Sequence, residues 1–347
     1  MILRYLPYTL ALRHRFTIAG SSRMTTPVML VEVEDGGIIG FGEASMPPYL
    51  GESHETARKF LARVRLPPEV TPSSLAEVLR EIDAIGPGNT AAKAAVDIAL
   101  HDWIGKRMGQ PLHRIWDLDP SRAPLTSYTI PIGDGATLAH SIREAEEFPI
   151  LKIKLGGADD KEAIRIIRSE TGKPLRVDVN QGWKTREEAL GMIEYLADQG
   201  VEFVEQPLRK DRLDDAAWLR ERSPLPIIAD ESVGRCADVE KAIGAFDGVN
   251  IKLMKSTGLS EARAMFVLAR KLGLKTMIGC MTETSCAISA ASQLSPMADW
   301  ADLDGALLIA NDPFRGAEVA AGTIRVPAAP GIGAVRVQDD GFAFRTA

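Results

Sequence analysis

Six short segments of this chain each close a run of β-favouring residues with charged or amide side chains. They read Lys152-Ile-Lys154, Asp178-Val-Asn180, Glu205-Gln-Pro207, Asp230-Glu-Ser232, Asn250-Ile-Lys252 and Asp302-Leu-Asp304. Residues two apart on a strand share a face, so Lys152 points the same way as Lys154, and Asp302 the same way as Asp304. Charges on an inward face are costly unless paired or bound to a metal. Asp178, Glu205 and Asp230 close three consecutive runs and form an oxygen-only donor set. Such a set suits a hard divalent cation and fits Mg²⁺, with water or substrate completing the octahedron. Asn180 and Glu231 are placed to orient those donors from behind. Any single strand-end charge is more often a surface or ion-paired group than a catalytic one. Complementary ends on six strands, in chain order, point instead to a site that does chemistry.

The elements that must hold these groups follow from the same pattern. From Thr126 onward β-rich runs alternate with amphipathic helical segments. The runs are 127–132, 151–155, 175–179, 203–205, 226–229, 248–253, 275–279 and 300–304. Between the third and fourth, Thr185 and Glu188 form a capping box. Ala189, Leu190, Ile193, Leu196 and Ala197 then recur with helical period, and Gly200 supplies the stop. Eight strands mostly separated by one helix each predict a parallel α/β barrel rather than an open sheet, with its chemistry at the C-terminal ends of the strands.

The first third is mixed. Val28–Val33 and Ile38–Phe41 flank Asp35-Gly-Gly37 and read as a hairpin. Three helices follow. One runs from His54 to about Val64 behind a Ser53 cap, and one from Ser73 or Ser74 to near Gly86. The third runs from Asn89 to about Lys106 and is apolar around much of its circumference, which predicts burial. We expect an α+β unit over residues 1–120, a barrel over 121–318, and a tail over 319–347 that packs back on the N-terminal part.

With 347 residues, 45% of them hydrophobic and 25% charged, the chain has the balance of a soluble protein with a large core. A formal charge of −6 offers no basic stripe for nucleic acid. Its N-terminus lacks the features of a secretory signal, and no run reaches membrane-spanning length, so the chain reads as cytoplasmic with no membrane partner. Three cysteines are too few for a disulfide framework; Cys236 and Cys286 read as small buried hydrophobes. Assembly into a homo-oligomer is left open.

The quoted strand ends, continued by Gln181-Gly-Trp183, resemble the enolase superfamily in its muconate lactonizing enzyme-like branch, in the right order from about residue 125 to 305. Gly40-Phe-Gly-Glu-Ala44 looks like part of that superfamily's capping domain. The resemblance implies a modified TIM barrel, (β/α)₇β, under an α+β cap. It implies that Asp178, Glu205 and Asp230 hold one Mg²⁺, that Lys154 and Lys252 are an acid/base pair, and that Lys152 acts electrostatically beside a substrate carboxylate. Lysine with Mg²⁺ is a known pattern in this superfamily. Positive charge from the Mg²⁺ and the other lysines is expected to lower the pKa of the lysine base toward working pH. Lysines on the second and sixth strands would address opposite faces of an α-carbon, which favours racemisation or epimerisation.

Asp302-Leu-Asp304 resembles the Asp-x-Asp pair with which dipeptide epimerases hold a substrate's α-ammonium. Two inward carboxylates would receive one cation and repel a dicarboxylate or lactone. Arg23, in the loop Ala19–Pro27, could grip a side-chain carboxylate bidentately, as suits the alanyl-glutamate epimerases of murein recycling. Met46–Tyr49 offers an apolar wall, and Thr129, Cys280 and Thr282 offer polar or backbone groups near a bound peptide. The competing readings are an epimerase of other dipeptides, a racemase, an o-succinylbenzoate synthase-like lyase, and a barrel that only binds a carboxylate. A sugar-acid dehydratase is disfavoured, because all five histidines precede the lysine-bearing strands.

Overall fold

The computed structural model describes residues 1–337 and 344–346. The chain opens with an antiparallel meander, β1 (Ile2–Ile18), β2 (Ser21–Asp35) and β3 (Ile38–Ser45). Gly36 and Gly37, both at positive φ, turn β2 into β3 as the sequence predicts. The long β1 was not foreseen. Pro7 and the charged stretch around His14 break its alternation, and its pairing with β2 slips register between Ala11 and Phe16. An edge strand tolerates both features. Its outer side is met by Arg345–Thr346 from the far end of the chain.

Helices α1 (His54–Leu61), α2 (Leu75–Ala84) and α3 (Thr90–Met108) follow, then a short α4 (Leu112–Ile115). Ser53 caps α1 in a reciprocal box with Thr56. The Ser74 hydroxyl makes no such cap on α2; it accepts instead from the Thr71 amide at 2.9 Å. Helix α3 is buried from Ala91 to Gly105 and lies so close on β3 that a Cβ at Gly42 would fall 1.9 Å from the Ala95 carbonyl. Only glycine fits there.

Eight parallel strands come next: β4 (Tyr128–Ile130), β5 (Leu151–Lys154), β6 (Leu175–Asp178), β7 (Val201–Glu205), β8 (Ile227–Ala229), β9 (Gly248–Lys252), β10 (Lys275–Gly279) and β11 (Trp300–Asp302). Seven helices lie between them: α5 (Gly135–Glu144), α6 (Asp160–Glu170), α7 (Arg186–Asp198), α8 (Leu213–Arg220), α9 (Cys236–Val239), α10 (Leu259–Lys271) and α11 (Ser285–Ser292). A parallel bridge from Thr126 to Ala301 brings the first strand to the last and closes the sheet as (β/α)₇β. All eight runs fall where the sequence placed them. The capping box on α7 forms only by half: Thr185 accepts the Glu188 amide at 3.1 Å, but the Glu188 carboxylate turns to the Lys184 amide at 2.9 Å.

Inside the barrel, Phe203, Ile228 and Met277 form a separate apolar floor with Trp300. Two residues further along the same strands come Glu205, Asp230, Gly279 and Asp302, on the same face one pleat higher. The reactive layer therefore rests on a low-dielectric base. The tail returns to the N-terminal part: Leu112 donates its amide to the Gly331 carbonyl, and buried Asp102 on α3 accepts from Phe41, Lys106 and Ile332. Cys286 is buried as expected, whereas Cys236 is half-buried, and all three cysteines are free. Among the described residues no helix is long and apolar enough to cross a membrane.

The meander meets the barrel mouth through Glu43, which accepts from the Thr284 amide at 3.0 Å and from its hydroxyl. Burial pushes Glu43 up to about 7. It pushes neighbouring Glu283, which also faces the charge of Glu43, to about 8. A carboxyl raised from 4.5 to about 7 keeps its proton in the folded chain where the unfolded chain has lost it. Its contribution to stability therefore falls as pH rises through that window. We expect Glu43→Gln to match the wild type in thermal unfolding at about pH 5 and to exceed it by a few degrees at about pH 8. A gap that stays constant across pH would remove this account of the seam.

Candidate active site

The triad is assembled by strand register. Asp178 and Glu205 are partners across β6 and β7, and Asp230 follows directly after β8. All three are fully or almost fully buried, and one carboxylate oxygen from each lies within 4.8 Å of the others. Each carboxylate has one oxygen fixed from behind. Asp178 Oδ1 accepts the Asn180 amide at 2.9 Å, Glu205 Oε1 accepts Asn250 Nδ2 at 2.7 Å, and Asp230 Oδ1 accepts Lys255 Nζ at 2.6 Å. The other oxygen of each faces a lysine. Lys154 reaches Asp178 at 2.6 Å and Lys252 reaches Asp230 at 2.8 Å. Lys152 lies 2.7 Å from Glu205, 3.2 Å from Asp178 and 2.6 Å from Asp302.

These residues fit a hard divalent cation. Glu205 Oε2 is close to Lys152 in distance but outside hydrogen-bond geometry, which leaves a buried acceptor unsatisfied. Oδ1 of Asn180 and Oε2 of Glu231 are buried acceptors in the same condition. Three converging carboxylates, one of them with a buried oxygen left unsatisfied, are the donor set such an ion takes. The Asn180 backbone amide meets Asp178, and its side chain joins Glu231 at 3.3 Å.

The electrostatics follow from crowding. Burial and then Asp178 push Glu205 up to about 7. For Asp178 and Asp230 burial acts in the same direction, but the lysines outweigh it and hold both below the ordinary carboxylate range. Lys152 and Lys252 lie well above the ordinary lysine value, because the carboxylates overcome the penalty of burial.

Lys154, Lys252, Asp302, Asp304, Thr129, Cys280, Thr282, Asn180 and Arg23 line one cleft of about 500 Å³ between the barrel mouth and the meander. Lys152 lies beneath it, fully buried. Asp302 takes Lys152 on one oxygen and the Ser127 hydroxyl, at 3.0 Å, on the other. Asp304 accepts the backbone amide of Thr129 at 2.6 Å. Burial raises Asp304 to about 7, with Asp302 adding to it, while Lys152 keeps Asp302 low against its own burial. Arg23 lays its guanidinium 5.0 Å over the Phe16 ring and donates to Thr26 at 3.2 Å. The Thr282 hydroxyl is committed to Thr26, at 2.7 Å. The Cys280 thiol is pushed well up by burial and stays protonated. Pro47 and Tyr49 form part of the wall, but Met46 is buried behind it.

Sequence reasoning missed three supporting groups. Asn250 and Lys255 hold Glu205 and Asp230, and the Gln206 side chain accepts the amides of Asp230 and Ser232 at 2.9 and 3.1 Å. Asn250 lies one turn of alternation before Lys252, and alternation could have found it. Lys255 is delivered by an irregular turn after β9 and carries no such signal. Gly279 makes room for Asn250, since a Cβ there would fall 2.4 Å from its Oδ1.

Residues 6–116 match the family model of the mandelate racemase / muconate lactonizing enzyme N-terminal domain, and residues 135–339 match the enolase C-terminal domain-like model. The chain belongs to the enolase superfamily. An L-Ala-D/L-Glu epimerase of Bacteroides thetaiotaomicron is 52% identical over 97% of this chain and 88% of its own. An L-Ala-D/L-amino acid epimerase of Pedosphaera parvula is 38% identical over 95% of this chain and 97% of its own. Among solved structures, the dipeptide epimerase of Cytophaga hutchinsonii complexed with Mg and D-Ala-L-Val superimposes with TM-score 0.93 at 28% identity, covering 100% of both chains.

Replacing Asn250 with leucine keeps volume but frees the Glu205 carboxylate. Loss of such an orienting partner should weaken divalent-cation binding about 10- to 100-fold, read by calorimetric metal titration of the folded variant. An unchanged affinity would show that Glu205 needs no such support.

Proposed function

We propose that this isomerase is a Mg²⁺-dependent dipeptide epimerase that inverts the α-carbon of the C-terminal residue of L-Ala-D/L-Glu. The observation that carries the reading is the placement of the Asp302–Asp304 pair in the same cleft as Lys154, Lys252 and Arg23. The same cleft thus holds an acidic pair for a cation, a guanidinium for an anion, and two amines.

Asp178, Glu205 and Asp230 would hold the Mg²⁺, which when bound supplies positive charge beside the substrate carboxylate and so favours loss of the neighbouring proton. The substrate α-ammonium binds between Asp302 and Asp304. Asp304, raised to about 7 by burial and by Asp302, gains the counter-charge that lets it ionise fully. An N-acylated or dicarboxylate substrate lacks that cation and leaves two buried acids opposed. One lysine, neutral at Nζ, takes the α-proton, and the C–H electron pair passes into the carboxylate. The other, as ammonium, returns a proton to the opposite face. Arg23, steadied on Phe16, pairs with the glutamate side chain. The similarity to L-Ala-D/L-Glu epimerases supports this choice of substrate over other dipeptides.

With Mg²⁺ and L-Ala-L-Glu in D₂O, the glutamyl α-proton should exchange while L-Ala-D-Glu accumulates, both followed by NMR. Absence of exchange with every member of a dipeptide library would sink the assignment. Lys154→Ala and Lys252→Ala should each lower epimerisation about 10²- to 10⁴-fold. Full activity in either one would overturn the two-base scheme. Asp302→Asn should raise KM for the free dipeptide at least about tenfold and narrow the preference over its N-acetylated form. An unchanged preference would remove the ammonium role.

A further inference from the structure

Away from the cleft, two of the five histidines meet a carboxylate on the outer rim of the barrel. His140 and Glu144 lie one turn apart on α5, with Nε2 and Oε1 separated by 3.5 Å. His14 arrives from β1 and places its own Nε2 3.1 Å from the same oxygen. The imidazoles stand edge to face at 87°, with centroids 5.7 Å apart. One donor atom from each of the three residues lies within 4.8 Å of the others, and all three side chains are at least a third exposed.

These separations are those of a chelate. Zinc bonds of about 2.0–2.1 Å in a tetrahedron put neighbouring donors about 3.3–3.4 Å apart. The observed 3.1 and 3.5 Å bracket that edge. Two imidazoles and one carboxylate suit a borderline transition metal, and water would fill the fourth position. The catalytic triad, by contrast, offers oxygen alone and suits a hard ion, so the two sites sort different metals.

We propose that His14, His140 and Glu144 form a second metal site, selective for Zn²⁺, that fastens the β1–β2 hairpin to helix α5. His14 lies where β1 leaves register with β2, two residues before the Phe16 that supports Arg23 in the cleft. The Ile132 amide also ties this stretch to the β4–α5 loop, donating to the Thr17 carbonyl at 3.0 Å. An ion held by one residue of the hairpin and two of the barrel therefore pins the wall that covers the substrate. It would hold that wall in place without touching a reacting atom. This inference does not depend on which dipeptide is turned over.

The test uses the full-length protein in saturating Mg²⁺. Calorimetry with Zn²⁺ should show one further ion per chain, and Co²⁺ should give the intense visible bands of a tetrahedral, imidazole-bound ion. His14→Ala and His140→Ala should each weaken this binding at least about tenfold and abolish the bands. Both remove exposed rings, so thermal unfolding without zinc should not change. Amide exchange across residues 12–23 should slow with Zn²⁺ in the native chain and not in the variants. Equal zinc affinity in both variants would assign the ion to the catalytic carboxylates and overturn the site. Binding that leaves hairpin exchange unaltered would overturn the fastening.

Discussion

Three carboxylates buried at the ends of adjacent strands can share one barrel mouth only if positive charge is held among them. Lys152 meets this constraint from below, reaching Asp178, Glu205 and Asp302 with one ammonium. Lys154, Lys252 and Lys255 meet it from the sides. The apolar floor of Phe203, Ile228 and Met277 makes the compensation obligatory, because nothing beneath the acids can solvate them. Two of the lysines that neutralise the acids, Lys154 and Lys252, are the ones we propose to move protons once the acids take another cation. Stability and chemistry draw on one set of charges.

The supporting groups make that arrangement rigid. Each acid has one oxygen committed to Asn180, Asn250 or Lys255, so the other, which faces a lysine, has one direction to point. A site held this way reorganises little when an ion or a substrate arrives, and preorganised charge is the largest source of rate enhancement in proton transfer next to a carboxylate.

The remainder of the cleft is shared between the barrel and the meander. The barrel contributes Asp302 and Asp304, one lowered by Lys152 and the other raised by burial beside it. The meander contributes Arg23 on Phe16 and closes against the barrel through Glu43, Thr26 and Ser45.

The barrel strands, the acid triad, the lysines and the acidic pair were legible in the sequence, because strand periodicity fixes which residues face inward and the end of each run marks where charge is exposed. The hairpin turn at Gly36-Gly37 and the buried α3 were legible for the same local reasons. Strand β1 was not, since its alternation is interrupted by Pro7 and by a register slip that only pairing with β2 reveals. Nor was Lys255, delivered to Asp230 by an irregular turn, or the meeting of His14 with His140 across 126 positions of chain. Those meetings needed three dimensions: a pattern of strand ends says which charges share a mouth, while only the folded chain sets the distances between groups far apart in sequence.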